Sequence, residues 1–405
     1  MATAPQPFPN PSPATSAASP SPWRLARFDR GEIAGSLGDL GTFIPLLVGM
    51  VMTNGLDLVS GLFFAGFFNV LTGFTFAIPM AVQPMKAIAA VAIAEGLTPT
   101  QIVAAGMATS VVLLVLGLTR WIDTFNRILP VSVVRGLQLG LGLRLAEQGI
   151  QLIAGTGSWW GADSIGVGVT GLALVLLLAS SARWPTALLV FGVGLVLAAV
   201  GHPDAMRALS IGLSFPHLVY PTLADFRVGF WRAALPQIPL TTLNSVIAVC
   251  ALSVQLFPDR PASPRRVAIS VAVMNLIGGW FGAMPMCHGA GGLAGQYRFG
   301  ARTNGSILFL GAVKMLLAVL FGASLLTLLG VYPKSILGVL LAVSGIELAL
   351  VCRDQTGREE VTIMLGTAAA TLALGNVATG FVAGWLLALL VQAAERRSSR
   401  TRPAA

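Results

Sequence analysis

The sequence has few charged residues, and this scarcity excludes a soluble globular fold. Only 10% of its 405 residues are Asp, Glu, Lys or Arg, against about a quarter in soluble domains, and 55% are hydrophobic. A soluble protein could not bury so much apolar surface, whereas a bilayer removes the need to bury it. The composition therefore predicts an all-α bundle of membrane-spanning helices, which the 46 glycines would let approach each other closely.

Cysteine is also scarce, and so are motifs of catalysis. Cys250, Cys287 and Cys352 are far apart and form no CxxC pair, which argues against a disulfide framework or a zinc centre. We find no metal-binding motif, nucleophile elbow or phosphate-binding loop, so we expect neither an enzyme nor a cofactor. Residues 1–22 are rich in Pro, Ala and Ser and lack the apolar core of a signal peptide, which predicts a disordered tail.

Fourteen apolar segments follow the tail, in two sets of seven. The first set lies near residues 31–52, 58–78, 84–95, 99–119, 131–150, 164–180 and 184–200. The second set lies near residues 232–256, 266–283, 288–297, 304–330, 333–351, 358–374 and 377–394. Most are long enough to cross a membrane at about 1.5 Å per residue, but the third and the tenth are too short. We therefore predict two repeats at 23–200 and 231–395, a linker at 201–230 and a basic tail at 396–405.

The positions of Lys and Arg predict an orientation for these segments. With a cytoplasmic N-terminus, most basic residues fall in inside loops, and the outside loops carry Arg207, Arg227, Arg232 and Lys334. Cytoplasmic loops of membrane proteins show such an excess. The formal charge of +9 then reflects loops that face anionic lipid, so no nucleic-acid partner is expected. The Arg- and Ala-rich composition is typical of bacteria, and we expect an inner-membrane protein with both termini cytoplasmic.

The two sets of segments show matching motifs. The matched stretches are Pro130-Val-Ser132 with Pro333-Lys-Ser335, Gly142 and Arg144 with Gly345 and Glu347, and Pro79-Met80 with Pro285-Met286. Because seven is an odd number, the second copy would be inverted in the membrane. An inverted repeat is a common architecture of secondary transporters.

The third and tenth segments are interrupted, and this predicts a binding site. Pro79 and Pro84 should keep the entry to segment three extended and start a helix at Pro84. Glycines 289, 291 and 292 leave the backbone of segment ten open to a ligand. Two half-helices in inverted copies would point their N-termini at each other near the middle of the membrane. Their free N–H groups and partial positive charges would bind an anion.

Lys86 supports an anionic ligand. A lysine at mid-membrane costs about 2.5–3.5 kcal/mol, and it would lie about one turn into the half-helix, where its charge adds to the dipole. The alternative is that Lys86 snorkels or pairs with a structural acid. Lys314 and Arg135 are expected to be structural.

Other polar residues in the segments allow two interpretations each. Gln237, Thr241, Asn244 and Ser245 share a face of segment eight, either for the ligand or for hydrogen bonds between helices. Asp39 would either pair with Lys86 or carry a proton during transport. His288 would either cap its half-helix or bind the anion. Glu95 and Glu347 are weaker candidates that we expect near the membrane interface.

Four stretches, GDLGTFIP, PMAVQPMKAIAAVAI, PQIPLTTLNSVIAV and MCHGAGGLAGQYRFGAR, resemble the molybdate transporter family, which is related to the sulfate permeases but lacks their STAS domain. The resemblance runs from about residue 30 to residue 355. It implies a seven-plus-seven inverted repeat like that of the sulfate and uracil permeases. Segments 1–4 and 8–11 would form a core domain, and segments 5–7 and 12–14 a gate domain.

The resemblance also implies a set of substrate-binding residues and a function. The residues are Thr42, Gln83, Lys86, Gln237, Thr241, Asn244, His288, Gly289, Ala290 and Gly291, with Gly292 completing the last motif and Asp39 as the candidate for proton coupling. We expect a proton-coupled carrier that imports a tetrahedral oxyanion, molybdate first. Sulfate or general oxyanion transport, a nucleobase permease and an anion channel are the alternatives. We expect membrane lipid as the environment. The sequence leaves it undecided whether the protein forms a homodimer.

Overall fold

Helices dominate both halves of the chain. A computed structural model describes residues 26–179 and 185–401. The helices before residue 180 are α1 (Arg30–Ser36), α2 (Leu40–Asn54), α3 (Leu58–Phe76), α4 (Lys86–Glu95), α5 (Pro99–Thr119), α6 (Ile122–Ile128), α7 (Val131–Ala154) and α8 (Ile165–Ala179). A 3₁₀ turn, Leu37–Asp39, joins α1 to α2, and strand β1 (Val82–Pro84) precedes α4. The tail predicted at 1–22, Arg24 and Arg183 lie outside the described residues.

The described chain from residue 185 onward is also mainly helical and contains one short strand. Its helices are α9 (Thr186–Gly201), α10 (Pro203–Arg207), α11 (Leu223–Gly229), α12 (Leu235–Leu240), α13 (Ala248–Leu256), α14 (Pro264–Gly278), α15 (Ala290–Arg298), α16 (Gly305–Gly330), α17 (Lys334–Ala349), α18 (Arg358–Ala373) and α19 (Val377–Thr401). Strand β2 (Met286–His288) precedes α15, and 3₁₀ turns follow α14 (Gly279–Phe281) and α17 (Leu350–Asp354). Helix α19 continues into the basic tail predicted at 396–405, of which residues 402–405 are outside the described chain.

Several of these helices can cross a membrane. Among the described residues, seven helical stretches are long and apolar enough: Arg30–Asn54, Leu58–Phe76, Pro99–Thr119, Leu223–Leu256, Gly305–Gly330, Lys334–Asp354 and Val377–Ala394. The shorter apolar helices Ile165–Leu178 and Thr186–Gly201 accompany them. The chain is therefore a helical membrane protein, as the composition predicted, and each of the fourteen predicted segments contains a helix.

The predicted start of segment eight is wrong. Helix α11 begins at Leu223, inside the stretch predicted as a linker. Thr222 and Asp225 form a capping box there: Asp225 N donates to Thr222 Oγ1 at 3.2 Å, and Thr222 N donates to the Asp225 carboxylate at 2.9 Å. The helix then continues through two π-helical turns, Phe230–Ala234 and Thr241–Ile247, on either side of α12. Prolines 236 and 239 have no backbone N–H to donate, which explains why the regular α-helical hydrogen bonds give way to π-helical turns there.

Small residues allow the long helices to pack closely. Helices α3 and α16 cross at Gly66 and Gly311, where a methyl group on either glycine would lie 2.6 Å from the carbonyl oxygen of the other. Helices α7 and α17 cross at Gly142 and Gly345, and a methyl group on Gly142 would lie 2.5 Å from Gly345 O. Without a hydrophobic effect between helices in lipid, such backbone contact is a main source of stability.

The two strands meet in the middle of the bundle. β1 and β2 pair antiparallel, with Val82 opposite His288 and Pro84 opposite Met286. Asn275 holds β2 by accepting from Met286 N at 2.6 Å and donating to Met286 O at 2.7 Å. Because the strands are antiparallel, the half-helices α4 and α15 leave them in opposite directions. Irregular backbone at membrane depth is stable only when its polar groups are paired in this way.

The strand register corrects one of the matched motifs. Met85 and Gly289 immediately precede α4 and α15, so the strand residues Val82 and Met286 occupy corresponding places. The match of Pro79-Met80 with Pro285-Met286 is therefore two residues out of register. The error arose because Pro-Met pairs occur at different distances from the two helix starts.

An extended segment connects the two halves and is attached to the second. From residue 208 to 222 the chain has no regular structure and lies along α16. Ser210 exchanges two hydrogen bonds with Ser324, at 2.6 and 3.0 Å, and Ser214 N donates to Val319 O at 2.8 Å. Farther along, Val219 N donates to Trp280 O at 2.8 Å. These contacts fix most of the connector to helices of the second half.

Candidate functional site

A cavity of about 640 Å³ lies beside the starts of the two half-helices. Predicted site residues on its wall are Thr42, Gln83, Lys86, Gln237, Asn244, Gly289, Ala290 and Gly291. The cavity extends from there to Arg298, at the end of α15, and to Thr186, at the start of α9. The structure therefore brings together eight of the predicted residues, which come from four separate stretches of the chain.

Lys86 is the first residue of α4, and not one turn into it as predicted. Pro84 ends strand β1 instead of starting the helix, and Met85 is the N-cap. The Lys86 side chain is half-buried on the cavity wall and makes no hydrogen bond or ion pair with any described residue. Its charge is therefore available to an anion in the cavity.

The N-terminus of α4 is already capped, contrary to the expectation of free N–H groups. Gln237 Oε1 accepts hydrogen bonds from Ala87 N at 2.9 Å and from Ile88 N at 3.1 Å. Gln237 Nε2 donates to Thr241 Oγ1 at 2.8 Å, and Thr241 is fully buried behind it. The contribution of Gln237 and Thr241 is thus to hold the start of α4 in place, because their polar atoms are largely used within the protein.

The N-terminus of α15 is open. The N-cap residue is Gly289, and no side chain caps the helix start. In the described chain the amides of Ala290, Gly291 and Gly292 have no hydrogen-bond acceptor. A methyl group on Gly291 would meet no atom within 4 Å, so this residue borders empty space. Three unpaired amides at a helix start, which also carries a partial positive charge, favour an anion. The two half-helices therefore differ: α4 offers a lysine and α15 offers its backbone.

Asp39 lies behind the cavity wall. It is 1% exposed, and its Oδ1 accepts a hydrogen bond from Gln83 Nε2, while Oδ2 has no partner. The cation that interacts with it most strongly is Lys314, and not Lys86 as expected. Lys314 is itself buried, and its Nζ lies 3.4 Å from the centre of the Phe43 ring. Asp39 and Lys314 are thus two buried side chains of opposite charge that make no ion pair with each other, and Asp39 lies next to Gln83.

His288 is also off the cavity wall. It is fully buried, with Nε2 3.0 Å from Ser270 Oγ and Nδ1 3.4 Å from Ala81 O, and Phe76 packs against its ring. Its side chain points away because alternate residues of a strand face opposite sides, and Cys287 takes the cavity side. His288 therefore neither caps α15 nor reaches the anion, which corrects both interpretations of this residue.

Charged residues that we expected elsewhere reach the cavity. Arg135 pairs with Asp354 at 2.6 Å, as a structural arginine would, but it also lines the cavity and donates to Asn244 Oδ1 at 3.2 Å. Glu347, which we treated as a weaker candidate, also lines the cavity. Arg298 is on the same wall. The match of Arg144 with Glu347 could have indicated from the sequence that Glu347 is a functional residue, because a charge at the same place in both halves is unusual inside a membrane.

Replacing Gln237 with Ala should weaken anion binding without abolishing it. The variant leaves two amides of α4 without a cap, and loss of a cap costs about 0.5–2 kcal/mol. We expect the dissociation constant to rise by roughly threefold to thirtyfold, measured by calorimetry on purified protein. Gln151→Ala, on an exposed part of α7, is the control and should bind like the wild type. Unchanged binding by Gln237→Ala would contradict a positioning role.

Solved structures of two membrane proteins share this fold. Over 90% of the chain it superposes on SLC26A9 with a TM-score of 0.65 and 18% identity, and this covers 65% of the SLC26A9 chain, just under two thirds. It also superposes on the transmembrane domain of BicA, a cyanobacterial bicarbonate transporter, with a TM-score of 0.64 and 13% identity over 90% of this chain and 99% of that one. At these identities the comparisons establish the fold.

Sequence comparison gives the family. A family model described as "Molybdate transporter of MFS superfamily" matches residues 31–145 and 229–348. Molybdate transporter 2 of Arabidopsis thaliana is 43% identical over 404 residues, which cover 89% of this chain and 87% of the relative. Molybdate transporter 1 of Chlamydomonas reinhardtii is 37% identical over 470 residues, covering 89% of this chain and 91% of that protein. The chain belongs to the molybdate transporter family, which confirms the predicted resemblance, and its relatives are transporters and not enzymes.

Proposed function

We propose that this protein is a secondary transporter that imports a tetrahedral oxyanion, and that the oxyanion is molybdate. The observation that carries the proposal is the unpaired Lys86, which shares one cavity with the open amides of α15. A dianion there gains a cation and several neutral donors without any need to displace an internal partner. The names of the relatives, from a plant and an alga, support molybdate as the cargo.

The binding site would work by charge and by hydrogen bonding. Lys86 offsets part of the dianion's charge, and the amides of Ala290 and Gly291 donate to its oxygens. Thr42 adds a hydroxyl donor from α2, and Gln83 adds its amide group from β1. Gln237 and Thr241 keep α4 in position. A site with more donors than acceptors rejects neutral nucleobases, which need both.

The proposal includes fourteen crossings arranged as an inverted repeat. It is supported by the antiparallel strands, by half-helices that run in opposite directions and by the self-matching contact of Gly142 with Gly345. Helix α3 packs on α16, and α14 packs on α5, which are the two equivalent pairings that an inverted repeat requires. Segments 1–4 and 8–11 then form the core, and segments 5–7 and 12–14 form the gate.

Alternating access would follow from movement of the core against the gate. The cavity reaches the end of α15 and the start of α9, which the distribution of Lys and Arg assigns to the cytoplasm, and this supports an inward-facing state. The bacterial inner membrane, the cytoplasmic termini and a homodimer remain predictions from the sequence.

Uptake of labelled molybdate by proteoliposomes tests this function. We expect saturable uptake that unlabelled molybdate abolishes and that sulfate inhibits only at much higher concentration. Equal inhibition by sulfate would instead favour a general oxyanion carrier. Flux that does not saturate, together with single-channel currents, would contradict a carrier and favour an anion channel.

Asp39→Asn should separate molybdate transport from the proton gradient. Asp39 is buried beside Gln83, which lines the cavity, so proton binding at the carboxylate would couple to occupancy of the site. We expect accumulation driven by an inwardly directed proton gradient to fall to the level seen without a gradient, because Asn cannot be protonated. The measurement is uptake at several external pH values with the internal pH held constant.

Loss of charge at Asp39 also removes a negative charge that stabilises the buried Lys314 cation, which can destabilise the fold. Molybdate exchange at equal pH on both sides is therefore measured in the same samples and should persist. Asp204→Asn, at an exposed position on α10, is the control. An Asp39→Asn protein that still accumulates molybdate in response to the gradient would exclude Asp39 as the proton carrier.

A further inference from the structure

An ion pair joins the proposed core and gate on the side away from the cavity. Arg144 on α7 approaches Glu95, the last residue of α4, with a nitrogen–oxygen distance of 3.3 Å, and both side chains are largely buried. Arg232 reaches the other Glu95 oxygen at 3.9 Å, and Arg144 also donates to Gly375 O at 3.2 Å. Neither Glu95 nor Arg144 lines the cavity. The Glu95–Arg144 pair, called the outer pair below, therefore joins the core to the gate on the far side of the binding site.

Two further charges line the cavity without such a contact. Glu347 lies on α17, in the gate, and Arg298 is the last residue of α15, in the core. Both line the cavity and both are exposed. Within the described chain neither side chain makes a hydrogen bond or an ion pair. Glu347 is also the one acidic residue among the described residues of the cavity wall.

The positions of these two pairs correspond. Arg144 and Glu347 each follow by two residues the contact of Gly142 with Gly345 at the crossing of α7 and α17. Glu95 and Arg298 each end a half-helix, and the two half-helices run in opposite directions from the paired strands. In the register set by Met85 and Gly289, Glu95 and Arg298 are one residue apart, so the two pairs lie at corresponding ends of their helices, with the signs exchanged between core and gate.

We infer that Arg298 and Glu347 are the inner counterpart of the Glu95–Arg144 pair, and that transport alternates between the two. This rests on the proposed alternating access. When the core moves to open the outer side, the outer pair separates, the cavity narrows and Arg298 meets Glu347. One ion pair in each end state keeps the two states close in free energy, so that the empty carrier can return.

The other cations of the cavity are less suited to Glu347. Arg135 lies on the gate itself and is already held by Asp354. Lys86 lies at the start of α4, at the binding site, where the anion takes its charge. Arg298 is the core cation at the open end of the cavity.

Charge reversal tests the pair. Glu347→Arg and Arg298→Glu should each lower the exchange of labelled molybdate in proteoliposomes at least about tenfold, because like charges then oppose closure of the inner side. The double variant restores opposite charges and should recover to within roughly threefold of the wild type. Glu147→Arg, at an exposed position on α7 that does not line the cavity, is the matched control and should leave exchange unchanged.

Single variants with wild-type exchange, or a double variant no better than the worse single one, would overturn the inference. Rescue of Glu347→Arg by Lys86→Glu instead would overturn the choice of Arg298. A wild-type protein that moves no oxyanion would contradict the proposed function itself, so the two failures are distinguishable.

A disulfide trap covers the case in which the reversed charges prevent folding. Glu347→Cys with Arg298→Cys, in a Cys287→Ser and Cys352→Ser background, should crosslink during turnover when a thiol oxidant is added to accept the two electrons, and uptake should stop until a reductant restores the two thiols. Each single cysteine variant is the control. Failure of the double-cysteine protein to crosslink during active uptake would overturn the inference.

Discussion

Replacing Lys86 with Gln should lower molybdate affinity more than a hundredfold. Lys86 is the cation at the half-helix starts, and no described residue pairs with it. Removing one partner of a largely desolvated charge pair costs about 3–5 kcal/mol, which exceeds two orders of magnitude in the dissociation constant. Glutamine keeps most of the length of the side chain, so the change tests charge more than shape. Binding to purified protein by calorimetry is the direct measurement.

The control for this variant is Lys334→Gln, at an exposed position at the start of α17. It removes the same charge away from the cavity and should bind molybdate like the wild type. A thermal unfolding curve in detergent should show that Lys86→Gln remains folded, since the side chain of Lys86 makes no hydrogen bond or ion pair with a described residue that the glutamine would lose. Wild-type molybdate affinity in folded Lys86→Gln would contradict the proposed binding site.

Gly291→Leu should block transport by occupying the cavity. A methyl group at this position meets no atom within 4 Å, so a larger side chain projects into empty space on the cavity wall. The variant should fold normally, because nothing packed is displaced, and yet uptake should fall at least about a hundredfold as the leucine takes the volume of the substrate. Initial rates of labelled molybdate uptake measure the effect.

A matched glycine elsewhere controls for the change in helix composition. Gly192 on α9 also has no atom within 4 Å of an added methyl group, and it does not line the cavity. Gly192→Leu should transport at the wild-type rate. Substantial uptake by Gly291→Leu would place the oxyanion away from the start of α15.

Much of the architecture follows from local sequence. Long apolar runs separated by short polar loops predict helices wherever the chain lies in lipid, because a helix satisfies its own backbone there. The interruption of segments three and ten was also visible, because proline and clustered glycine break regular helices. Lys86 stood out because a cation is expensive in an apolar segment.

The parts that the sequence did not predict depend on contacts between distant residues. Gln237 caps α4 from a position 149–150 residues further along the chain, so its role as a cap has no local signature. The same holds for Asp39, whose main cation, Lys314, is on another helix. A helical face that carries Gln237, Thr241 and Asn244 shows that these residues point inward, but not which of them meets the ligand.

The sequence predicted the starts of helices least well where capping residues or strand pairing determine them. The start of α11 depends on Thr222 and Asp225, and the start of α4 depends on where strand pairing ends. Pro84 is compatible with the first turn of a helix, but it is also compatible with the end of a strand, and the partner strand determined the outcome. His288 was misplaced for the same reason, since its orientation follows from the strand.

Because the connector between the two halves is attached to the second half, only a short part of it is free to change its length. On the proposed division, α9 belongs to the gate, whereas residues 210–219 are bonded to α16 and to the turn after α14, which belong to the core. The free stretch is therefore short, from His202 to Leu209. Fully extended, these eight residues span at most about 28 Å, and they already contain the short helix α10. If the core moves against the gate as proposed, these eight residues limit the distance of that movement, and they can lengthen further only if α10 unwinds.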